Sequence, residues 1–195
     1  MGISGEQTVW SAASDYFRLF RHGFRSLPND IYSYVLNALE SSMSPGVTDG
    51  PVSGPKAIIT RWMKFSLCFD DIHMDLQRLE NGPVGNSVVA TVITSFTISS
   101  DSLSLVFPNL IKETPANESR SSAKSLSGKL LHQRLVVRGS ILFEWDETRN
   151  RINKMRSQSD MLTPLLRLLG SLEEVSRVFE GALVSPGCSW PRCIV

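Results

Sequence analysis

Apolar and polar residues alternate over a long stretch of the chain that begins at Leu131. One alternate set is mostly apolar and comprises Leu131, Gln133, Leu135, Val137, Gly139, Ile141, Phe143 and Trp145. The other set is mostly polar or charged and comprises His132, Arg134, Val136, Arg138, Ser140, Leu142 and Glu144. Successive side chains of a strand point to opposite faces, so this period of two predicts a long strand with one dry face. Gln133 lies on that dry face, and Gly139 is a place where the strand could kink or bulge.

Helical periodicity precedes the strands. Residues 8–24, "TVWSAASDYFRLFRHGF", carry aromatic residues at helical spacing and predict an amphipathic helix that ends near Gly23. Residues 55–69, "PKAIITRWMKFSLCF", begin with a proline, which is favourable in a first turn, and predict a buried helix. Residues 30–43 fit either a second helix or a helix that runs into a strand, and "SPGVTDGPVSGP" at 44–55 predicts a loop.

Four segments with a period of two predict an antiparallel sheet. They are residues 71–79, residues 87–99, the alternating stretch described above, and residues 151–159, which follow the turn "DETRN". The segment 87–99 is rich in β-branched residues and is apolar on both faces. Val89 and Ile93 lie opposite its core set, so this strand is expected to need cover on both sides.

The remaining segments predict the domain limits. Residues 112–127 are polar and without period, and predict a flexible insertion between two strands of one domain that spans residues 10–183. Residues 1–9 and 184–195 are expected to be flexible ends. Two short helices close the domain: Thr163 and Pro164 predict the start of the first, Gly170 its end, and Ser171 with Glu174 a capping box for the second. The fold class is α+β, with helices on one face of a strongly bent antiparallel sheet.

The composition of the chain limits the classes of function that it can have. The chain has 195 residues, 42% hydrophobic content and a formal net charge of +1, so it can bury a core and shows no basic surface for direct nucleic acid binding. It has no apolar run of about 18 residues for a membrane span. The three cysteines are an odd count without an export signal, which predicts reduced thiols and a cytoplasmic or nuclear location. There is no zinc spacing, P-loop or dinucleotide fingerprint, so no metal, cofactor or catalytic residue is assigned.

Several segments resemble known families. "YFRLFRHGF", "GPVSGPKAIITRW" and "FDDIHMDL", with the strands that follow, resemble the nuclear transport factor two-like superfamily, which includes SnoaL-like polyketide cyclases and ketosteroid isomerase; the resemblance spans roughly residues 10–160. "HQRLVVRGSILFEWD" and "SQSDMLTPLLRLLGSLEEVSRVF" resemble the C-terminal domain of oomycete basic leucine zipper-type transcription factors. No basic region or heptad zipper precedes residue 10, so DNA binding is not carried over. The resemblance implies a cone in which bent strands wrap a helix and Gln133 faces a pocket.

The candidate ligand-binding residues are those that would line such a pocket: Tyr16, Trp62, Gln133, Phe143 and Trp145. The aromatic residues are equally typical of a plain core, and Gln133 could instead satisfy a buried backbone group. Asp70 and Asp71 could supply a general base in an apolar cavity, but adjacent residues of a strand cannot both point inward, which favours solvated turn residues. No spacing identifies a partner for His22, His73 or His132.

Two classes of function remain open. The first is a non-enzymatic binding or dimerisation module, with a regulatory role, that encloses a small apolar ligand. The alternative is a small cyclase, isomerase or dehydratase that transfers a proton inside the cone.

The predicted homodimer interface is the outer sheet face, with Val89, Ile93, Val136 and Leu142. The competing prediction is that a terminal helix carrying Val175, Val178 and Phe179 covers this face.

Overall fold

The computed structural model describes residues 7–25, 28–112 and 125–188. The helices within these ranges are α1 (Val9–Phe20), α2 (Asn29–Ser42), α3 (Pro55–Cys68), α4 (Ser100–Val106), α5 (Pro108–Lys112), α6 (Leu126–Leu130), α7 (Leu162–Leu169) and α8 (Leu172–Phe179). The strands are β1 (Met43–Asp49), β2 (Val52–Ser53), β3 (Asp70–Asn81), β4 (Ser87–Thr97), β5 (Arg134–Asp146) and β6 (Arg151–Asp160). The predicted α+β class with a curved sheet is confirmed.

The strands form one sheet in the order β2-β1-β6-β5-β4-β3. β3 to β6 are the four antiparallel strands that the alternation predicts. The prediction of a loop at residues 44–55 is wrong, because β1 pairs in parallel with β6 and the sheet is therefore mixed. Pro45 and Gly46 interrupt the alternation that is typical of a strand, so the sequence does not predict β1. The register of the β1–β6 pair shifts across these two residues. β1 is thus a strand through its pairing with β6 rather than through its own pattern.

The alternation along β5 is confirmed by burial. Leu135, Val137, Ile141 and Phe143 are buried, whereas the outward-facing residues are exposed or partly exposed. β5 passes Gly139 without a shift in register, and the irregularity lies between Glu144 and Trp145 instead. A Cβ at residue 139 would lie 2.6 Å from a backbone oxygen of β6, so the glycine allows the strands to approach closely.

α1 and α3 pack on the inner face of the sheet. Thr8 and Ser11 form a capping box at the start of α1, so the chain is ordered before residue 10, where a flexible end was predicted. The first core cluster joins these helices to the middle of the sheet through residues that include Tyr16, Phe20, Ile58, Val88 and Phe143. Because both faces of α3 meet other elements, its apolar residues extend around much of the helix.

The helices α4 to α8 contribute to a second core cluster. In the chain, α4, α5 and α6 connect β4 to β5, where the sequence predicts a polar insertion at 112–127. Leu126 of α6 is buried in this cluster, and residues 113–124 lie outside the described residues. α7 and α8 bury Leu165, Val175 and Val178 in the same cluster. Val184 is also buried, so the described part of the predicted flexible tail packs on the core, while residues 1–6 and 189–195 lie outside the described residues.

The signals at the ends of α7 and α8 are largely as predicted. Gly170 ends α7 in the left-handed conformation, with φ of 78°, and the Ser171 side chain accepts a hydrogen bond from the backbone N–H of Glu174. Only this half of the predicted capping box forms, because the Glu174 carboxylate pairs with Lys129 at 2.5 Å. The start of α7 differs: the carboxylate of Asp160 accepts from the backbone N–H of Thr163 at 3.0 Å and from its hydroxyl. The cap is therefore a residue of β6 that precedes the helix.

Candidate functional site

A cavity of about 390 Å³ lies between α3 and the inner face of the sheet. Its apolar wall comprises Trp62, Phe65, Met74, Val92, Phe96, Val137 and Ile141. The exposed residues that line it, and so mark its opening, are Gly50, Pro51, Ser53, Thr60, Ser157 and Gly187. A volume of this size is within the range of small-molecule sites, roughly 300–1,000 Å³, and a mostly apolar wall with a few polar groups is typical of them.

The polar side of the cavity is built around Asp49, which is 2% exposed. One carboxylate oxygen accepts the backbone N–H of Ser157 at 3.0 Å, and the other accepts the Ser157 hydroxyl at 2.7 Å. The Arg61 guanidinium donates to that second oxygen as well. Asp49 is the last residue of β1 and Arg61 lies in the second turn of α3, so the contact joins a strand, a helix and β6.

Arg61 also hydrogen-bonds Tyr16, which accepts a further hydrogen bond from the indole N–H of Trp62 at 2.9 Å. Burial raises the pKa of the Tyr16 phenol, and the positive charge of Arg61 only partly opposes this effect. Burial alone lowers the pKa of Arg61, but Tyr16 and Asp49 raise it, and the net shift is upward. Tyr16 therefore stays neutral and Arg61 stays charged at physiological pH.

The structure separates the five predicted ligand-binding residues. Trp62 lines the cavity and stacks on Phe20, with ring centroids 5.0 Å apart. Tyr16 and Phe143 are fully buried behind it, with their ring centroids 5.6 Å apart, and Trp145 packs at the edge of the same cluster. These three belong to the core around the site and do not line the cavity.

Gln133 is also outside the cavity lining. It precedes the first residue of β5, so the alternation of the strand does not extend to it. Its backbone N–H donates to Leu130 and its carbonyl accepts from Ile98, which closes the turn that leads into β5. The dry face of the strand therefore begins at Leu135.

Two central residues of the site, Asp49 and Arg61, were missed by sequence reasoning. Asp49 lies in a segment rich in proline and glycine, where an aspartate is typical of a turn. The sequence did give a signal for Arg61. A cation on a helix that is predicted to be buried needs a partner of opposite charge, because an unpaired buried charge is costly. Nothing in the local pattern identifies that partner, which is brought to Arg61 by the pairing of β1 with β6.

The acidic pair at the start of β3 lies away from the cavity. Asp70 forms a partly exposed ion pair with Arg25 at 2.5 Å, and Asp71 is exposed and accepts a hydrogen bond from the Thr97 hydroxyl at 3.2 Å. The rings of His22 and His73 lie near this pair, 5.1 Å apart. None of the three histidines, His132 included, lines the cavity.

Cys188 lines the cavity where the C-terminal segment passes over it. Burial, assisted by the charge of Asp160, raises the pKa of its thiol to about 12. The group is therefore a protonated thiol at physiological pH and a poor nucleophile. Within residues 7–25, 28–112 and 125–188, no group of three or more histidine, cysteine or acidic side chains could hold a metal ion.

The fold has known relatives among solved structures. The chain is similar to a SnoaL-like polyketide cyclase of Agrobacterium tumefaciens, with 12% identity, a TM-score of 0.53, and coverage of 84% of this chain and 99% of that one. It is also similar to a SnoaL-like polyketide cyclase of Jannaschia sp. CCS1, with 15% identity, a TM-score of 0.50, and coverage of 88% and 99%. The chain therefore has the SnoaL-like, nuclear transport factor two-like fold.

A family resemblance is found at the level of sequence as well. Residues 10–68 match the family described as the BZIP transcription factor 1 C-terminal domain. This segment runs from α1 to the end of α3 and includes Asp49, Arg61 and Trp62, which line the cavity. No curated protein matches the chain. Among the described residues, no helix is long and apolar enough to cross a membrane.

Alkaline conditions provide a test of the buried Tyr16 phenol. Its pKa in the folded state is raised above the ordinary value of 10.0. The neutral phenol therefore stabilises the folded state fully below pH 10, and this stabilisation is lost as pH rises through the folded pKa. We expect Tyr16→Phe to reduce the loss of stability between about pH 8 and about pH 11. Urea unfolding at both pH values measures this loss. The control is Tyr34→Phe at a residue that is 62% exposed, and an equal pH dependence in all three proteins would contradict the prediction.

Proposed function

We propose that this domain is a non-enzymatic binding module that encloses a small, largely apolar ligand in the cavity beneath α3. The observation that carries the proposal is the cavity itself, which combines an apolar wall with one polar side formed by Asp49, Arg61 and Ser157. Such a combination provides burial for most of a ligand and a few fixed groups to orient it.

The state of the polar groups supports binding over catalysis. The carboxylate of Asp49 already accepts three hydrogen bonds, from the Ser157 backbone N–H, the Ser157 hydroxyl and Arg61, so most of its roughly four acceptor sites are occupied and little of it is open to a substrate proton. Cys188 is held as a thiol by its raised pKa. The alternative, a small enzyme of the cyclase, isomerase or dehydratase kind, would have to use Asp49, which is the one carboxylate that the described residues place on the cavity wall.

The family match supports a regulatory role for the ligand. Residues 10–68 match a domain whose description names a transcription factor, and this segment contributes α3 with Asp49 and Arg61 of the polar side. The match supports the proposal that the chain acts in the cytoplasm or nucleus. Ligand binding would then change how the domain associates with its partners rather than transform the ligand.

Binding in the cavity can be measured with phenylnaphthylamine, a neutral apolar dye that fluoresces in dry surroundings. We expect the dye to bind the purified chain and Val137→Trp to weaken binding at least about tenfold, because the larger side chain fills the cavity. The matched control is Val84→Trp, at a residue between β3 and β4 that is 57% exposed and outside the cavity lining. Equal affinity in Val137→Trp and the unmodified chain would exclude the cavity as the binding site.

We also propose that two copies of the chain associate through the outer face of β4 and β5. Val89 lies directly opposite Leu142 in the register of these strands, Ile93 lies opposite Arg138, and the 52% exposed Val136 lies opposite Ser95. The helix that was expected to compete for this face packs elsewhere, since Val175 and Val178 of α8 belong to the second core cluster. The proposal rests on these four apolar side chains, which lie among polar neighbours on the outer face of the sheet.

Substitution of Ile93 tests this association. We expect Ile93→Glu to convert a dimer into a monomer in sedimentation velocity, because a carboxylate would be buried without a partner at the interface. The matched control is Leu172→Glu, which places the same charge at a 64% exposed residue of α8 and leaves the dimer intact. If the unmodified chain sediments as a monomer at about ten micromolar or more, the proposed interface is wrong.

A further inference from the structure

We infer that the ligand of this cavity carries a single carboxylate, which binds at Arg61 while an aromatic or aliphatic body lies against the apolar wall. The inference rests on the proposed binding function and specifies its ligand. It starts from the charged side chains that line the cavity, which are Asp49, Arg61 and Lys64. Asp49 and Arg61 form an ion pair, so the feature that would recognise an anion here is the planar set of donors on Arg61 rather than an excess of positive charge.

Arg61 is prepared to bind an anion. Its side chain is 23% exposed, and its guanidinium is held in place by Asp49 and by Tyr16. A guanidinium has five N–H donors in one plane, and these two contacts do not use all of them. Since Arg61 lines the cavity, the remaining donors are available to a ligand there. A planar carboxylate can accept two of them side by side, which is the strongest arrangement for this pair of groups.

The surroundings make this contact favourable. The apolar wall beside Arg61, which includes Trp62 and Phe65, lowers the local dielectric and strengthens a charged hydrogen bond. Arg61 needs no rearrangement on binding, because its position is already determined by Asp49 and Tyr16.

Asp49 limits the charge of the ligand. Its carboxylate lies against the guanidinium and remains in the cavity lining, so a dianion such as a phosphate monoester would be repelled more strongly than a carboxylate monoanion. Ser159 adds a hydroxyl group on the same side that can donate to a carboxylate, whereas the Ser157 hydroxyl already donates its proton to Asp49. The cavity therefore favours a small apolar monoanion.

The test compares two compounds of the same shape, naphthoate and naphthamide, as competitors of bound phenylnaphthylamine at neutral pH. We expect naphthoate to displace the dye at a concentration about tenfold lower than naphthamide, because only naphthoate gains a charged contact with Arg61. Arg61→Lys retains the charge and the partner of Asp49 but loses the planar donors. It is expected to weaken naphthoate binding more than naphthamide binding, so that the preference for naphthoate is lost.

Arg78→Lys, at a side chain that is 70% exposed on β3, is the matched control and should change neither affinity, and circular dichroism confirms that each variant is folded. Equal displacement by both compounds, or failure of naphthoate to displace the dye, overturns the carboxylate inference while dye binding still supports the proposed function. A preference for naphthoate that survives in Arg61→Lys also overturns it, because the anion then binds elsewhere. Loss of dye binding to the unmodified chain instead overturns the proposed function itself.

Discussion

Replacement of Asp49 with asparagine is expected to lower the free energy of unfolding by about 3–5 kcal/mol. The Asp49 side chain is 3% exposed and pairs with Arg61, so its neutralisation leaves a largely buried guanidinium without its counter-ion. An asparagine also has one acceptor oxygen where Asp49 has two, so its NH2 group must face donors, either the Ser157 backbone N–H or both Arg61 and the Ser157 hydroxyl. Urea unfolding followed by circular dichroism measures the change.

The control for Asp49→Asn is Glu80→Gln, which neutralises the carboxylate of the Arg78–Glu80 ion pair. That pair is 70% and 48% exposed, and such pairs contribute about 0–1 kcal/mol. A loss below about 1 kcal/mol in Asp49→Asn as well would mean that the buried contact between β1, β6 and α3 does not stabilise the fold.

The second large effect is expected from Phe143→Ala, which should lower the free energy of unfolding by about 3–5 kcal/mol. Phe143 is fully buried in β5, pairs in register with Val88, and contacts the rings of Tyr16 and Phe17 at centroid distances of 5.6 and 5.9 Å. Removal of the ring leaves a cavity among side chains of α1 and the sheet, which cannot all move to fill it.

Tyr34→Ala is the matched control for Phe143→Ala, because it removes an aromatic ring that is 62% exposed on α2. We expect a change of about 0.5 kcal/mol or less there, as for most surface substitutions. Equal effects of the two substitutions in a denaturant titration would show that the inner face of β5 is not the core of the domain.

The sequence by itself determined the elements with strong local periodicity. The alternation along β5 predicted which residues are buried and which are exposed, because side-chain direction in a strand depends only on position along it. α3 followed from Pro55 and the apolar residues after it, and Gly170 marked the end of α7. These features need only residues that are near one another in the chain.

The tertiary structure decided which residues form the site. β1 has no apolar alternation, so it becomes a strand only where β6 pairs with it, and this pairing places Asp49 against Ser157, 108 residues away in sequence. The same pairing supplies the partner of Arg61 and the polar side of the cavity. Trp62 was predicted because its aromatic character is local, whereas Asp49 was missed because its burial and charge partner depend on contacts between distant segments, which no local pattern records.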